Sequence, residues 1–292
     1  MAHDLVQNTV DGLMVGTAYA LLALGFTLIF GIMRRLNLSY GPSIMIGAYL
    51  GTFAHLEFGI GAPIVALVTI LGAVAAGFYV ERLCFAPMRG QAATASMVAS
   101  FAIWMQLEEL ATLILPRHSY PFPALTASPP VEIGGILLRA DRLLTLGVAL
   151  AAMLGLWLLV HRSRFGLALR ATARDTATAR HLGIDVERIS LLAFLGASAL
   201  GGLAGLLVIA ADQQITPMFG MWATFKGLVA MMLGGLGSIP GAVLGGLALG
   251  VIEAHGQWYL GPQLRDLLVY ALLFLCLVLR AGFGTASEER RI

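Results

Sequence analysis

Phe225-Lys-Gly-Leu-Val-Ala-Met-Met-Leu-Gly-Gly-Leu-Gly-Ser-Ile-Pro-Gly-Ala-Val-Leu-Gly-Gly-Leu-Ala-Leu-Gly250 is the stretch on which the fold turns. It is longer than the roughly 20 apolar residues that carry a helix across a bilayer. Its centre is broken by Gly234, Gly235, Gly237, Pro240 and Gly241. Proline removes a backbone donor and glycine favours non-helical geometry, so a single continuous helix is excluded. Two arrangements remain. Either two crossings meet in a tight turn, or two half-helices form a re-entrant hairpin.

The rest of the chain has the same character. Of its 292 residues, 59% are apolar or aromatic and 12% are charged; soluble domains carry about 45–50% and about 25%. Half the ordinary charge cannot cover a globular surface, and the mean hydropathy of +0.86 agrees. A soluble enzyme, a disordered scaffold and a nucleic-acid binder are excluded. Cys84 and Cys276 form neither a disulfide framework nor a metal set. Stretches without charge lie at 12–33, 36–56, 58–80, 90–107, 143–160, 189–211, 227–252 and 267–279. The expectation is an all-α polytopic membrane bundle of about 8–9 transmembrane segments with discontinuous helices, forming one unit over 1–292. The first segment does not read as a cleaved signal peptide, because Met1, Ala2, His3 and Asp4 lack a basic start and the apolar run is too long.

Net charge is +2, and Lys226 is the only lysine. Arginines cluster at Arg34/Arg35, Arg82/Arg89, across 162–188 and at Arg280/Arg290/Arg291. The positive-inside bias places all four clusters in the cytoplasm of an inner (plasma) membrane protein. The N-terminus is then outside and the C-terminus inside. The loop 116–142 becomes external, although Arg117, Arg139 and Arg142 run against the bias. Prolines 116, 121, 123, 129 and 130 make it stiff and non-helical.

A second break falls at Leu36-Asn37-Leu38-Ser39-Tyr40-Gly41-Pro42. Pro42 biases Gly41 away from helix and strands a carbonyl that lipid cannot satisfy. Such interruptions in transporters often lie on the solute route. The plainer reading is a helix start, with Asn37 or Ser39 as N-cap and Pro42 in the first turn. The two readings are compatible.

The segment 161–188 holds Arg162, Arg164, Arg170, Arg174, Arg180 and Arg188 against Asp175, Asp185 and Glu187. It exceeds the roughly 2–8 residues that join packed helices. Arg164 to Leu182 reads as one short helix ended by Gly183, with Ala171, Ala179 and Leu182 as a small-residue face. Docking against a protein partner fits it better than a basic helix held by headgroups.

Intramembrane acids are functional suspects by default. Here Asp11, Glu108, Glu109 and Glu253 all fall near segment ends, where headgroups are within reach. Lys226 lies inside an apolar run, although its long stem could snorkel. Gly12/Gly16, Gly47/Gly51, Gly201/Gly205, Gly241/Gly245 and Gly246/Gly250 share the four-residue spacing that lets helix backbones approach. A phosphate loop needs G-x-x-x-x-G-K-[ST], but here the lone lysine is followed by Gly227. No H-E-x-x-H or G-x-S-x-G is present, and the histidines are scattered. Neither catalytic residues nor a cofactor or metal site is expected.

Four blocks carry a likeness to a known family. The first runs from Gly12 through Gly16 and Gly25 to Phe30-Gly31. The second is Asn37-Leu-Ser-Tyr-Gly41 with Gly47-Ala-Tyr49. The third is Phe165-Gly166 through Arg170-Ala171-Thr172, Asp175, Ala179 and Leu182-Gly183-Ile184-Asp185. The fourth is Phe225-Lys226-Gly227 through Gly234-Gly235, Pro240-Gly241 and Gly245-Gly246. In this order they resemble the LivH-type permeases of branched-chain amino acid ABC importers, from about residue 5 to 282.

The resemblance implies a second homologous permease subunit, two ATP-binding cassette subunits that hydrolyse ATP, and an extracytoplasmic substrate-binding protein. It also makes the third block the cytoplasmic segment that meets the ATPase. The family's second block usually reads Asn-Phe-Ala-His-Gly, whereas Ser39 and Tyr40 stand here, so the solute stays open among branched-chain amino acids, other amino acids, urea and short amides. The passage is expected along Asn37, Ser39, Tyr40, Gly41, Gly235, Ser238 and Pro240. Coupling is expected at Arg170, Asp175, Leu182 and Gly183. The rival is a self-sufficient channel or ion-coupled carrier using Lys226, Glu108, Glu109 or Glu253.

Overall fold

Each charge-free stretch of the sequence contains a helix among its described residues. The computed structural model describes residues 2–89, 91–114, 119–125, 131–133, 136–261, 264, 267–276 and 278. The helices are α1 (Ala2–Met33), α2 (Tyr40–Phe58), α3 (Ala62–Val80, prolonged by a π turn at Glu81–Phe85), α4 (Ala93–Ile114) and α5 (Ala140–Arg162). They continue with α6 (Arg164–Arg174), α7 (Thr176–His181), α8 (Val186–Asp212), α9 (Phe219–Gly234), α10 (Ile239–Leu260) and α11 (Leu267–Cys276). Five are long and apolar enough to cross a membrane on their own: α1, α3 with its π turn, α5, α8 and α10.

The described residues between α4 and α5 are non-helical, as the prolines predict. Tyr120–Pro121 (β1) pairs antiparallel with Gln214–Ile215 (β4), and Val131–Ile133 (β2) pairs with Ile136–Leu138 (β3). Pro116, Pro129, Pro130, Arg117 and the cluster Arg280/Arg290/Arg291 lie outside the described residues.

Helix α1 is the axis of the bundle, largely buried and packed by α10, α8, α9 and α5. Its seam with α10 is made by small residues. A Cβ on Gly250 would run into the Gly12 carbonyl oxygen and the backbone of Gly16, and one on Gly246 into the backbone of Ala20. This is the close approach that the four-residue glycine spacing predicts. The two helices run in opposite directions, which defines an amino end near Gly12 and Gly250 and a basic end near Met33 and Ile239.

The composite segment resolves as two antiparallel helices, α9 and α10, joined by a tight turn. Gly235 (φ 103) and Gly237 (φ 80) take backbone conformations closed to other residues. Ser238 then caps α10 by accepting the Gly241 N–H at 3.1 Å, and Pro240 sits in the first turn. The turn lies beside Gly31 in the last turn of α1, at the basic end.

The single helix expected over Arg164–Leu182 is two helices. Asp175 adopts extended geometry (φ −153, ψ 106) and caps α7, accepting the N–H groups of Ala177 at 2.9 Å and Thr178 at 3.2 Å. A carboxylate that can bind nearby backbone competes with helix continuation, and here it wins. Gly183 ends α7 at φ 80, as its C′ position predicts.

Candidate functional site

The break before α2 is folded into the protein. After Arg34 (φ 54) the chain turns back along α1, so that Tyr40 meets Phe26, with ring centroids 4.6 Å apart. Asn37, Ser39, Tyr40 and Gly41 are all buried. The stranded backbone is stitched by side chains from two other helices. Ser100 on α4 accepts the Leu38 N–H at 3.2 Å, and its carbonyl accepts the Ser39 hydroxyl. Thr224 Oγ1 on α9 accepts the Gly41 N–H at 3.1 Å and lies 3.4 Å from the Leu38 carbonyl, the oxygen that Pro42 strands. Asn37 Oδ1 accepts the Ser39 N–H at 3.0 Å. Ser39 is the residue before α2, but its side chain does not cap it.

Tyr40 acts as a wedge. Its hydroxyl donates to the Ala197 carbonyl at 3.0 Å, and the ring occupies the space left by Gly25 and Gly201. No side chain larger than hydrogen fits at Gly41, where a Cβ would strike the Gly220 carbonyl and Thr224. Gly235, Ser238 and Pro240, by contrast, sit in the turn at the basic end, with Ser238 and Pro240 exposed. The two breaks meet opposite ends of α9. At 1.5 Å per residue, the stretch from Thr224 to Gly235 separates them by about 16 Å. The seven residues expected on one passage therefore fall into two groups.

A third location is more concave. At the amino end a cavity of about 530 Å³ opens between α1, α5, α8, α9 and α10, within the range of roughly 300–1,000 Å³ typical of small-molecule sites. Its mouth carries Asp11 paired with Arg142, and Arg139 paired with Asp141 at 2.8 Å. Met14, Val15, Ala18, Leu207 and Val208 make apolar walls.

Glu253 lies at the cavity, with Lys226 behind it. The two are buried (3% and 2% exposed), and Lys226 Nζ stands 2.8 Å from Glu253 Oε2. Tyr19 and Trp222, both lining the cavity, flank the ammonium at 5.6 and 5.8 Å from their ring centroids. That is the distance at which aromatic faces attract a cation. The sequence reads Glu253 as near an interface and Lys226 as inside an apolar run, each a separate candidate and not one pair. The missed signal was their complementarity: the chain's one lysine and an acid lie on either side of a helix break, so the hairpin brings them together. Glu108 instead accepts the Trp104 indole N–H at 2.7 Å, and Glu109 is exposed.

At the basic end, three arginine clusters converge. Arg35 donates to the carbonyls of Met88 at 2.7 Å and Gln91 at 2.8 Å. Arg89 pairs with the buried Glu81 of the π turn and lies 3.8 Å from Glu187, which also faces Arg180 at 3.9 Å. Arg35, Arg89, Thr172, Thr176 and Arg180 line a groove of about 250 Å³ together with Ile32 and Met33. Helix α6 thus packs on α1, and α7 packs on α6 and α8 beside the same groove. Of the residues expected to couple, Arg170, Asp175, Leu182 and Gly183 are all exposed. Ala179 is buried, so it shares no face with Leu182.

A lipid-embedded helical bundle with a polar-mouthed cavity at one end and an arginine-rich elbow at the other has the form of a membrane transport permease. Residues 8–277 match the family described as branched-chain amino acid transport system, permease component. The chain belongs to that family, and it is the permease component of an ABC importer.

It is 33% identical over 290 residues to BraD of Pseudomonas aeruginosa, a high-affinity branched-chain amino acid transport system permease protein, covering 95% of this chain and 94% of that one. It is 31% identical over 300 residues to LivH of Escherichia coli, which has the same description, covering 98% and 97%. Among solved structures, PsaBC of Streptococcus pneumoniae in complex with Fab shares the fold at a TM-score of 0.53, with 13% identity over 95% of each chain. The family implies a multi-pass inner-membrane protein with ATPase and binding-protein partners.

Proposed function

We propose that the chain moves an aliphatic, zwitterionic amino acid inward, entering at the amino end and driven from the basic end. The carrying observation is the convergence of Arg35, Arg89 and Arg180 on one groove, which gathers at a single end the charge that positive-inside sorting holds in the cytoplasm. Two of the arginines that run against this orientation are neutralised: Arg142 is tied to Asp11 and Arg139 to Asp141. The N-terminus is therefore external and the C-terminus cytoplasmic, with 116–142 as the external loop and 161–188 as the coupling segment of a single permease domain.

The substrate class follows the relatives, and the apolar cavity walls suit an aliphatic side chain. In the assembled importer two permease subunits pair, an external binding protein delivers solute above the cavity, and two ATPase subunits grip the elbow. Arg170 and Leu182, the latter 73% exposed, offer that grip a charge and an apolar contact. Motion of α7 passes through α6 to α1, and α1 carries it along the α10 seam. ATP hydrolysis resides in the partners, and the break residues Asn37 to Gly41 and the turn residues Gly235, Ser238 and Pro240 are where helices rearrange.

Charge reversal at Arg170 tests this. In the complex reconstituted with its partners, Arg170→Glu should insert and assemble normally while amino-acid uptake and substrate-stimulated ATP hydrolysis fall together. Normal uptake by that variant refutes the coupling role. Uptake by the permease chain alone refutes the need for partners.

A further inference from the structure

The Lys226–Glu253 pair is more than either packing or folding asks for. A buried ion pair can often be replaced by apolar side chains of similar size at little or no cost in stability. Yet its acid lines the cavity, and its base is held between Tyr19 and Trp222, which line it too. Asn8 Nδ2, on the same lining and shielded from solvent, meets no hydrogen-bond acceptor among the described residues.

We propose that Lys226 and Glu253 form a splittable receptor for the zwitterionic head of the transported amino acid, Glu253 taking the α-ammonium and Lys226 the α-carboxylate. The inference rests on the amino-acid import reading above and names its recognition element. Charge arithmetic supports it. The empty site is neutral, because its two charges satisfy each other at 2.8 Å. A zwitterion brings one charge of each sign, so one internal pair is exchanged for two substrate pairs and the site stays neutral throughout. An anion or a cation alone would leave one protein charge buried without its partner, which is heavily penalised. A neutral amide or urea offers no charge to either group and cannot offset the separation. The aromatic pair gives the displaced ammonium a second contact while the exchange occurs. The apolar walls at Met14, Val15 and Leu207 receive the side chain. The closed pair then also explains how a weak site can release its cargo, since the two residues re-pair behind the departing solute.

The test uses the assembled transporter in nanodiscs and in vesicles. Gln257→Cys, placed on the cavity lining with Cys84→Ser and Cys276→Ser, reports occupancy through its rate of labelling by a polar maleimide. Millimolar leucine should slow labelling several-fold, whereas leucinamide, which lacks the carboxylate, and 4-methylvalerate, which lacks the ammonium, should not. Equal protection by all three, or protection by none, overturns the proposal.

In vesicles Glu253→Gln and Lys226→Met should each lower leucine uptake by at least about tenfold, the consequence of leaving a buried charge unpaired. The exchanged pair, Lys226→Glu with Glu253→Lys, restores a structural ion pair but inverts the receptor. It should recover assembly and basal ATP hydrolysis without recovering uptake. Full uptake by the exchanged pair makes the interaction structural and ends the proposal. Leucine import by the unsubstituted complex, with no leucine protection in the Gln257→Cys variant, refutes this site alone, whereas an unsubstituted complex that imports no amino acid refutes the reading beneath it.

Discussion

At the scale of single residues, Thr224 shows how a helix break is made tolerable inside a lipid-facing protein. Pro42 and the start of α2 leave the Gly41 N–H and the Leu38 carbonyl outside any helical ladder, and both are buried beside one hydroxyl. That hydroxyl also donates to the Gly220 carbonyl at 2.9 Å within its own helix. Replacing Thr224 by Val keeps the shape and removes the oxygen. The Gly41 N–H would then be buried without a partner, at a cost of about 1–3 kcal/mol. Thr224→Val should therefore lower the thermal midpoint of the solubilised complex, while Thr224→Ser, which keeps the hydroxyl, should stay near the parent. Equal midpoints for the two variants would show that the break is held by packing alone. The sequence exposed the stranded backbone through Gly41-Pro42, but not its remedy. Ser100 lies 62 positions from Leu38 and Thr224 183 from Gly41, and nothing local marks either as the partner.

At the scale of elements, the elbow is governed by Asp175. Its carboxyl is held below the usual carboxylate range, first by the hydroxyl of Thr178 and then by the N–H groups of Thr178 and Ala177. The folded state thus favours the ionised form. Its contribution is complete above the ordinary aspartate pKa of about 3.9 and is lost as pH falls through the lowered folded value. Amide exchange at Ala177 and Thr178, corrected for its intrinsic pH dependence, should stay protected from neutral pH to below the usual range and then rise. Asp175→Ala should remove that protection at every pH, and Asp175→Asn, still a good cap, should keep it. Unchanged exchange in the alanine variant would mean that α7 is ordered by its contacts with α8 rather than by its cap. The alanine-rich composition foretold helix here and Gly183 foretold its end. The interruption was missed because an aspartate in mid-segment reads equally as a solvated helix residue or as a cap. Only the chain's need to turn along the end of α1 selects the second.

At the scale of the whole molecule, the length of the charge-free apolar stretches and the clustering of arginines were enough to lay out a helical bundle, because lipid forces each span to satisfy its own backbone. The functional geography was less legible, because it depends on which ends of antiparallel helices coincide. The expected passage joined two breaks that the fold separates along α9, and the cavity formed where five helices diverge around Lys226 and Glu253. The Gly12, Gly16, Gly246 and Gly250 contacts hold α1 and α10 antiparallel, so the amino end and the basic end lie at opposite ends of the bundle. Sidedness is therefore the property on which transport direction depends. In a background with Cys84→Ser and Cys276→Ser, single cysteines at Ser238 and Leu182 should react with an impermeant maleimide only in inverted vesicles. A cysteine at Gln257 should react only in right-side-out vesicles. Both Ser238 and Leu182 are exposed at the basic end, so they must respond together. Labelling of Leu182 from outside would put the elbow beyond the reach of any cytoplasmic ATPase. Labelling of Ser238 and Leu182 from opposite sides would separate the α9–α10 turn from the elbow, which the fold holds at one end of the bundle.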